Sequence, residues 1–186
     1  MEITLIRHGK STLKQNQRIT CWEFKNWIQK YNEHGVINET SFPHQTLEKI
    51  TNANVVITSD LKRAIDSATL LNSHIKIIPD PLFREAELPV PARNLRIKLP
   101  PNMWSIIMRC LWYRGYSNEC EPYSSTKERA TRATEILIKN AKQHQSVVLV
   151  GHGIMNLMIA KELQRLGWKG NKRSGTKHWR STTYSL

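Results

Sequence analysis

The stretch ITLIRHG at residues 3–9 decides the fold, because an apolar run leads directly into an arginine, a histidine and a glycine. A run that is apolar almost throughout is typical of a strand covered on both faces of a parallel sheet. Strands are predicted at four places: Ile3–Arg7, Asn54–Ser59, His74–Ile78 and Ser146–Val150. The first, second and fourth share the apolar character, so they predict a mostly parallel sheet.

Helical patterns separate the predicted strands. One apolar stripe runs along Leu61–Leu71, a second helix is predicted at Trp22–Tyr31, and Ile154–Leu166 is apolar nearly all round at its start. Ser125 and Glu128 have the spacing of a capping box and predict the start of another helix. Strands alternating with helices predict an α/β fold, a three-layer α/β/α sandwich around a mostly parallel sheet.

The length of 186 residues fits one domain spanning residues 1–186. Residues 88–122 interrupt the alternation, since they hold five of the eight prolines and begin with the bases Arg93, Arg96 and Lys98. A helix is predicted there from Asn102 to Tyr113. We interpret 88–122 as an insertion at the sheet edge, and insertions of this kind often carry function.

The C-terminal segment Gly167–Leu186 is also basic. It ends in Thr182-Thr183-Tyr184-Ser185, a pattern that predicts an edge strand.

Charge is the informative part of the composition. The 28 bases and 15 acids give a net charge of +13, and residues 1–60 contain 7 bases and 6 acids. Residues 61–186 therefore contain 21 bases and 9 acids, a surplus of 12. Such a surplus predicts an anionic partner without identifying it.

Other features of the sequence exclude several classes of protein. No apolar run reaches the length of about 20 residues that spans a bilayer, and the N-terminal residues do not resemble a signal peptide. Three cysteines without a CxxC pair suit a reducing compartment. We therefore expect a cytoplasmic protein without a membrane partner.

Residues with chemical potential follow each of the four predicted strands. Arg7 and His8 follow the first, Arg63 follows the second, Glu85 follows the third and His152 follows the fourth. The C-terminal ends of strands in an open parallel sheet form the crevice that binds ligands. We therefore expect these five side chains to converge on one rim.

That set of residue types suits covalent phosphoryl transfer. The guanidinium group of an arginine can donate two parallel hydrogen bonds to phosphate oxygens. Two cations beside a histidine disfavour its protonated form and so keep the imidazole neutral and nucleophilic. A second histidine can donate to the phosphoryl oxygens, while a carboxylic acid can protonate the leaving alkoxide. The arginines then supply the positive charge that a metal supplies elsewhere. The scattered histidines predict no metal site, and no cofactor is expected.

These motifs resemble those of the histidine phosphatase superfamily, whose fold is phosphoglycerate-mutase-like. The likeness rests on residues 7–9, 59–64, 83–85 and 147–152, in that order. It implies that His8 is the phosphorylated nucleophile, that Arg7 and Arg63 bind phosphate, that His152 is the second pocket histidine and that Glu85 donates the proton.

The sequence departs from the family pattern at several points. Lys10 occupies a position that is often acidic, and Lys14 stands where many members have an asparagine. The Gly-x-x-Glu-Gly segment that usually follows the acid is replaced by Ala86-Glu87-Leu88-Pro89, which leaves Glu87 as a rival proton donor.

We favour a metal-independent phosphomonoester hydrolase that acts on a small phosphorylated metabolite. A phosphoglycerate-mutase-type phosphotransferase is the close alternative. A nucleic-acid or partner-binding protein on the same scaffold is a third reading, disfavoured because all five pocket residues are present. Gly151-x-Gly153-x-x-Asn156 only partly matches a dinucleotide fingerprint. The sequence leaves the oligomeric state open.

Overall fold

A computed structural model describes residues 1–14, 17–93, 96–171, 175 and 177–186. Within these residues the chain forms a six-stranded sheet in the order β3-β2-β4-β1-β6-β5. The strands are β1 (Glu2–Arg7), β2 (Val55–Thr58), β3 (Ile77–Pro79), β4 (Ser146–Gly151), β5 (Lys169–Gly170) and β6 (Ser181–Ser185). Strands β1 to β4 are parallel to one another, while β5 and β6 are antiparallel additions. The predicted mostly parallel sheet is confirmed.

Two predicted strands differ in detail. The third begins at Ile77 rather than His74, because the Asn72 side chain accepts a hydrogen bond from the His74 amide (3.1 Å) and forms a turn there. The last strand is not at the edge of the sheet. It lies between β1 and the short strand β5, which pairs with it through Lys169 and Gly170.

The helices are α1 (Cys21–Glu33), α2 (His44–Thr51), α3 (Lys62–Leu71), α4 (Pro101–Tyr113), α5 (Tyr123–His144) and α6 (Gly153–Arg165). Sequence reasoning missed α2, a short helix that buries only Thr46 and Ile50. The remaining five lie within a few residues of their predicted positions. No helix among the described residues is long and apolar enough to cross a membrane.

The predicted capping box at Ser125 and Glu128 is wrong. Helix α5 begins two residues earlier, after Pro122, whose carbonyl accepts the Thr126 amide at 3.0 Å. Pro122 is the N-cap residue of α5 and Tyr123 its first helical residue, so Ser125 lies inside the first turn. The capping box that does form joins Thr20 and Glu23 at the start of α1.

Helices cover both faces of the sheet. Side chains alternate along a strand, so Ile3 and Leu5 of β1 pack on one face while Ile6 packs on the other. Helices α5 and α6 supply the first face, and α2 and α3 supply the second. This arrangement confirms the three-layer α/β/α sandwich.

A third apolar cluster lies apart from the two sheet faces. It joins α1 to α4 through Phe24, Trp104 and Met108, and a pair of backbone hydrogen bonds at 2.9 Å links Ile19 to Leu99. We call α1 together with the described residues of 88–122 the cap. Asn94 and Leu95 of the predicted insertion, and four residues of the basic C-terminal segment (172–174 and 176), lie outside the described residues. That the whole chain is a single domain stays a prediction.

Candidate active site

The five predicted residues lie at the carboxyl ends of the parallel strands. Arg7 ends β1 and is in register with Gly151 at the end of the neighbouring strand β4, so His8 and His152 follow adjacent strands. Their imidazole centroids are 5.0 Å apart. Arg63 lies in the first turn of α3, which follows β2, and Glu85 follows a short 3-10 helix (Pro81–Phe83) after β3. The parallel topology therefore gathers side chains that are up to 145 positions apart in the chain.

His8 is buried and held in one orientation. Its Nδ1 lies 2.7 Å from the Gly9 carbonyl oxygen. Because a carbonyl oxygen only accepts, Nδ1 carries the proton and donates it, so the lone pair of the neutral ring is on Nε2. Gly9 is required here because a Cβ at this position would overlap the Trp179 indole.

His152 is completely buried against the end of β2. Its Nε2 lies 2.7 Å from the Ser59 hydroxyl oxygen. Its Nδ1 has no hydrogen-bond partner among the described residues. This nitrogen is therefore available to a group that enters the pocket.

Both pocket histidines are kept neutral by their surroundings. Burial lowers the pKa of His8 well below its ordinary value, and the Arg63 and Arg7 cations lower it further. Burial and then the same Arg63 cation lower the pKa of His152. A neutral imidazole is the nucleophilic form.

Arg63 is almost fully buried and is positioned by α1. Its Nη1 donates to the Tyr31 carbonyl at 3.2 Å and to the Asn32 side-chain oxygen at 3.1 Å, and its guanidinium lies over the Tyr31 ring at 4.6 Å. Its buried Nε has no partner among the described residues. Burial lowers the pKa of Arg63, partly offset by Tyr31 and Glu85, but the side chain stays a cation at neutral pH.

Arg7 and Glu85 approach each other around Gly153, the first residue of α6. A Cβ built on Gly153 would lie 3.5 Å from Arg7 Nε and 3.7 Å from Glu85 Oε2. The Arg7 and Glu85 side chains therefore lie beside the first residue of α6, each at van der Waals distance from the place that a Cβ would occupy.

Glu85 and Glu87 have different surroundings. Glu85 Oε1 accepts hydrogen bonds from the amides of Ala86 (3.0 Å), Ile154 (3.1 Å) and Met155 (3.0 Å). These bonds hold its carboxylate at the N-terminus of α6. The exposed Glu87 instead accepts the Glu121 amide at 2.7 Å, away from the histidines.

Two arginines outside the predicted set hold the segment that carries Glu85. Arg129 of α5 donates to the carbonyls of Leu82 (2.9 Å) and Arg84 (2.8 Å), and Arg109 of α4 donates to those of Ala86 (2.6 Å) and Glu87 (2.9 Å). Their donors clamp the backbone on both sides of Glu85. The sequence carries no local signal for either contact, because each arginine lies more than 20 positions away.

His178 is a third histidine at the pocket, and sequence reasoning missed it. Its Nδ1 donates to the His8 carbonyl at 2.8 Å, and its ring centroid lies 5.4 Å from that of His8. Burial lowers its pKa, and the Arg7 and Lys10 cations contribute in the same direction. The sequence feature that could have located His178 is its position just before β6, which pairs with β1.

The remaining basic candidates lie on the surface. Lys10, Lys14, Arg93, Arg96 and Lys98 are all exposed. No group of three or more His, Cys, Asp or Glu side chains with metal-binding geometry occurs in the part of the chain that the structure describes.

The sequence model of the histidine phosphatase superfamily, branch 1, matches residues 3–183. The chain belongs to this superfamily. The match covers nearly the whole chain, and membership of this superfamily indicates a phosphatase or phosphotransferase enzyme. Comparison with curated protein sequences gives no significant match.

Solved structures share the fold of this chain at low sequence identity. The protein TTHB049 from Thermus thermophilus has a TM-score of 0.57 and 20% identity, over 98% of this chain and 92% of its own. The mycobacterial glucosyl-3-phosphoglycerate phosphatase has a TM-score of 0.56 and 16% identity, over 88% and 79% of the two chains. A proposed alpha-ribazole-5′-P phosphatase from Escherichia coli has a TM-score of 0.57 and 14% identity, over 98% and 89%. The predicted phosphoglycerate-mutase-like fold is thus confirmed.

Proposed function

We propose that this protein is a metal-independent phosphomonoester hydrolase that works through a phosphohistidine on His8 and acts on a small phosphorylated metabolite. One observation carries the proposal: two buried nitrogens, Arg63 Nε and His152 Nδ1, lack partners among the described residues and lie in the pocket of a buried, neutral His8. A phosphoryl group would supply the missing acceptors. Arginine cations beside it would balance its charge.

In the first step, His8 Nε2 attacks phosphorus and the bond from phosphorus to the ester oxygen breaks. Arg7, Arg63 and His152 bind the non-bridging oxygens and stabilise their developing charge. The cycle requires Glu85 to hold a proton once the phosphomonoester is bound, and Glu85 gives this proton to the leaving oxygen, which departs as an alcohol. The Nδ1–H bond to Gly9 offsets the positive charge that forms on the imidazole.

In the second step, a water molecule attacks phosphorus and the phosphorus–nitrogen bond breaks. The Glu85 carboxylate takes one proton from that water and is restored to the acid. His8 returns to its neutral form, and inorganic phosphate leaves. Protons and charge therefore balance over the cycle without a metal ion.

Two structures of one relative support an oxyanion in this pocket. The mycobacterial phosphatase has been solved with VO3 and with inorganic phosphate. Both complexes were formed by that protein, but the two ligands are suitable probes for this chain as well. We expect each to protect the chain against thermal unfolding.

The test is to trap the covalent intermediate. Acid-labile, base-stable label from a ³²P-labelled phosphomonoester should appear on the wild-type chain after rapid denaturation. His8→Ala should abolish it, whereas the control His74→Ala, which changes an exposed histidine, should retain it. Wild-type turnover in His8→Ala would refute the mechanism.

A further inference from the structure

Helix α4 exposes an apolar face to solvent. Met103, Ile106, Cys110 and Tyr113 are spaced by three, four and three residues, so they lie on one side of the helix. Their side chains are open to water, with exposed fractions of 43% for Met103, 57% for Ile106 and 50% for Tyr113, and Cys110 is also exposed. We call these four residues the α4 stripe.

Tyr113, at the end of the α4 stripe, packs against the Tyr123 ring of α5 (5.5 Å between centroids), but the main contacts of the helix are on its other side. Trp104, Met108 and Trp112 are buried on the other side, where the first two pack in the apolar cluster with α1. A helix with apolar side chains on both sides needs a second apolar surface, because a surface helix ordinarily presents polar residues to water.

The segment of chain that carries the stripe is basic and contains no acid of its own, although Glu23 of α1 lies close enough to Lys98 to interact with its charge. Residues 88–118 include five bases (Arg93, Arg96, Lys98, Arg109 and Arg114) and not one Asp or Glu. Arg109 is engaged with backbone carbonyls, whereas the other four are exposed, three of them before α4 in the chain and one directly after it. Ile97, between Arg96 and Lys98, is 59% exposed.

The first acid after this segment is already neutralised. Glu119 forms an ion pair with Lys25 at 2.5 Å. Trp22 of α1 is exposed as well, and its chain neighbour Cys21 donates its thiol proton to the Arg93 carbonyl at 3.4 Å. Apolar and basic side chains therefore occur together on the cap.

We propose that the α4 stripe and its flanking bases bind the surface of an anionic phospholipid bilayer. A helix that pairs exposed apolar residues with Lys and Arg lies in the interface plane, its apolar side in the acyl boundary and its cations at the headgroups. Nucleic acid would offer phosphates to the bases but no apolar layer for Ile106 and Met103. The expectation of no membrane partner rested on the lack of a spanning run, which interfacial binding does not need.

The first experiment is co-sedimentation of the full chain with vesicles. We expect binding to phosphatidylcholine vesicles that contain about one third phosphatidylglycerol, weak binding to phosphatidylcholine alone, and release as salt is raised. Ile106→Asp should weaken binding at least about tenfold, since it places a charge in the stripe. Ile78→Asp is the matched control, because Ile78 is 47% exposed on β3 at the sheet edge and should have no effect.

Charge is tested by a second pair of variants. Arg96→Gln with Lys98→Gln should weaken vesicle binding about thirtyfold, from roughly fivefold for each basic residue lost near an anionic surface. Lys139→Gln with Lys142→Gln, which removes the same charge from exposed positions on α5, should change it much less. Circular dichroism checks that each variant is folded.

A probe on the stripe gives an independent readout. An environment-sensitive fluorophore attached to Cys110 in a Cys120→Ser background should shift to the blue on anionic vesicles. Equal binding to neutral and anionic vesicles, or no binding, would overturn the proposal. A dimer that depends on Ile106 without any vesicle binding would also overturn it and assign the stripe to a second copy of the chain.

Discussion

Replacing Glu85 by glutamine separates its predicted chemistry from its contacts. The Glu85 carboxylate accepts three amide hydrogen bonds through Oε1, two of them from the first turn of α6. Glutamine keeps one side-chain oxygen for those amides but has no proton to give to a leaving group. Replacing Glu85 by alanine removes both the hydrogen-bond acceptor and the proton donor.

The expected magnitudes differ between stability and rate. Glu85→Gln loses mainly the negative charge at the helix N-terminus, which costs about 1 kcal/mol of the free energy of unfolding. Glu85→Ala leaves amides without an acceptor and should cost about 2–5 kcal/mol. Glu85→Gln should lower turnover of an alkyl phosphate by about two to four orders of magnitude, the contribution of a general acid.

The assay compares two leaving groups in the same variant. Because p-nitrophenolate leaves almost without a proton, Glu85→Gln should lower turnover of p-nitrophenyl phosphate by less than about tenfold. Glu87→Gln is the matched control and should affect neither substrate, since its partner is the Glu121 amide. Urea unfolding of each variant measures the stability change.

One pattern of results would refute the assignment. If Glu87→Gln shows the leaving-group dependence and Glu85→Gln does not, the proton donor lies two residues further along the chain. A loss in Glu85→Gln that is equal for both substrates would indicate that the residue only supports α6.

The site and the cap lead to three further predictions. Turnover of a phosphomonoester should be unchanged by EDTA, because Arg7 and Arg63 supply the positive charge; full loss in EDTA with recovery on adding one metal ion would contradict this. The free energy of unfolding should fall as pH drops below about 6.5, because the unfolded chain takes up protons on His8 and His152 while the folded chain, in which their pKa values are lowered, does not. The slope is up to about 1.4 kcal/mol per pH unit for each histidine, and urea titrations of His152→Asn at pH 7.5 and 5.5 should show a smaller slope than the wild type. Neutralising Arg93, Arg96 and Lys98 together should raise KM for the true anionic substrate more than for p-nitrophenyl phosphate, and equal changes in steady-state assays would assign them no role in selecting the substrate.

The physical basis of the successful predictions is local. A buried parallel strand must be apolar along its whole length, so β1, β2 and β4 are readable from short windows. The residues that follow those strands are then brought together by topology, and that step needs only the assignment of a parallel sheet. The predicted capping box at Ser125 is wrong because the helix begins earlier, after Pro122. Pro122 and Ser125 are two alternative helix-start signals only three residues apart, and the sequence did not show which of them is used.

Glu85 and Glu87 could not be separated from sequence. Two residues apart in an extended segment, they point the same way, and no local preference chooses between them. Their surroundings are set by distant partners, the amides of α6 for Glu85 and the Glu121 amide for Glu87.

The sequence by itself determined the layered α/β fold and the candidate site residues at the strand ends. Both can be recognised in windows of a few residues, because a buried strand is an apolar run and the reactive side chains follow it directly. Only the tertiary structure brought His178 to His8, Arg109 and Arg129 to the Glu85 segment, and α1 against α4. Each of these contacts joins residues more than 20 positions apart through packing that no local pattern encodes. The exposed side of α4 is likewise visible only after folding, since its sequence is apolar on both sides and burial alone decides which side meets water.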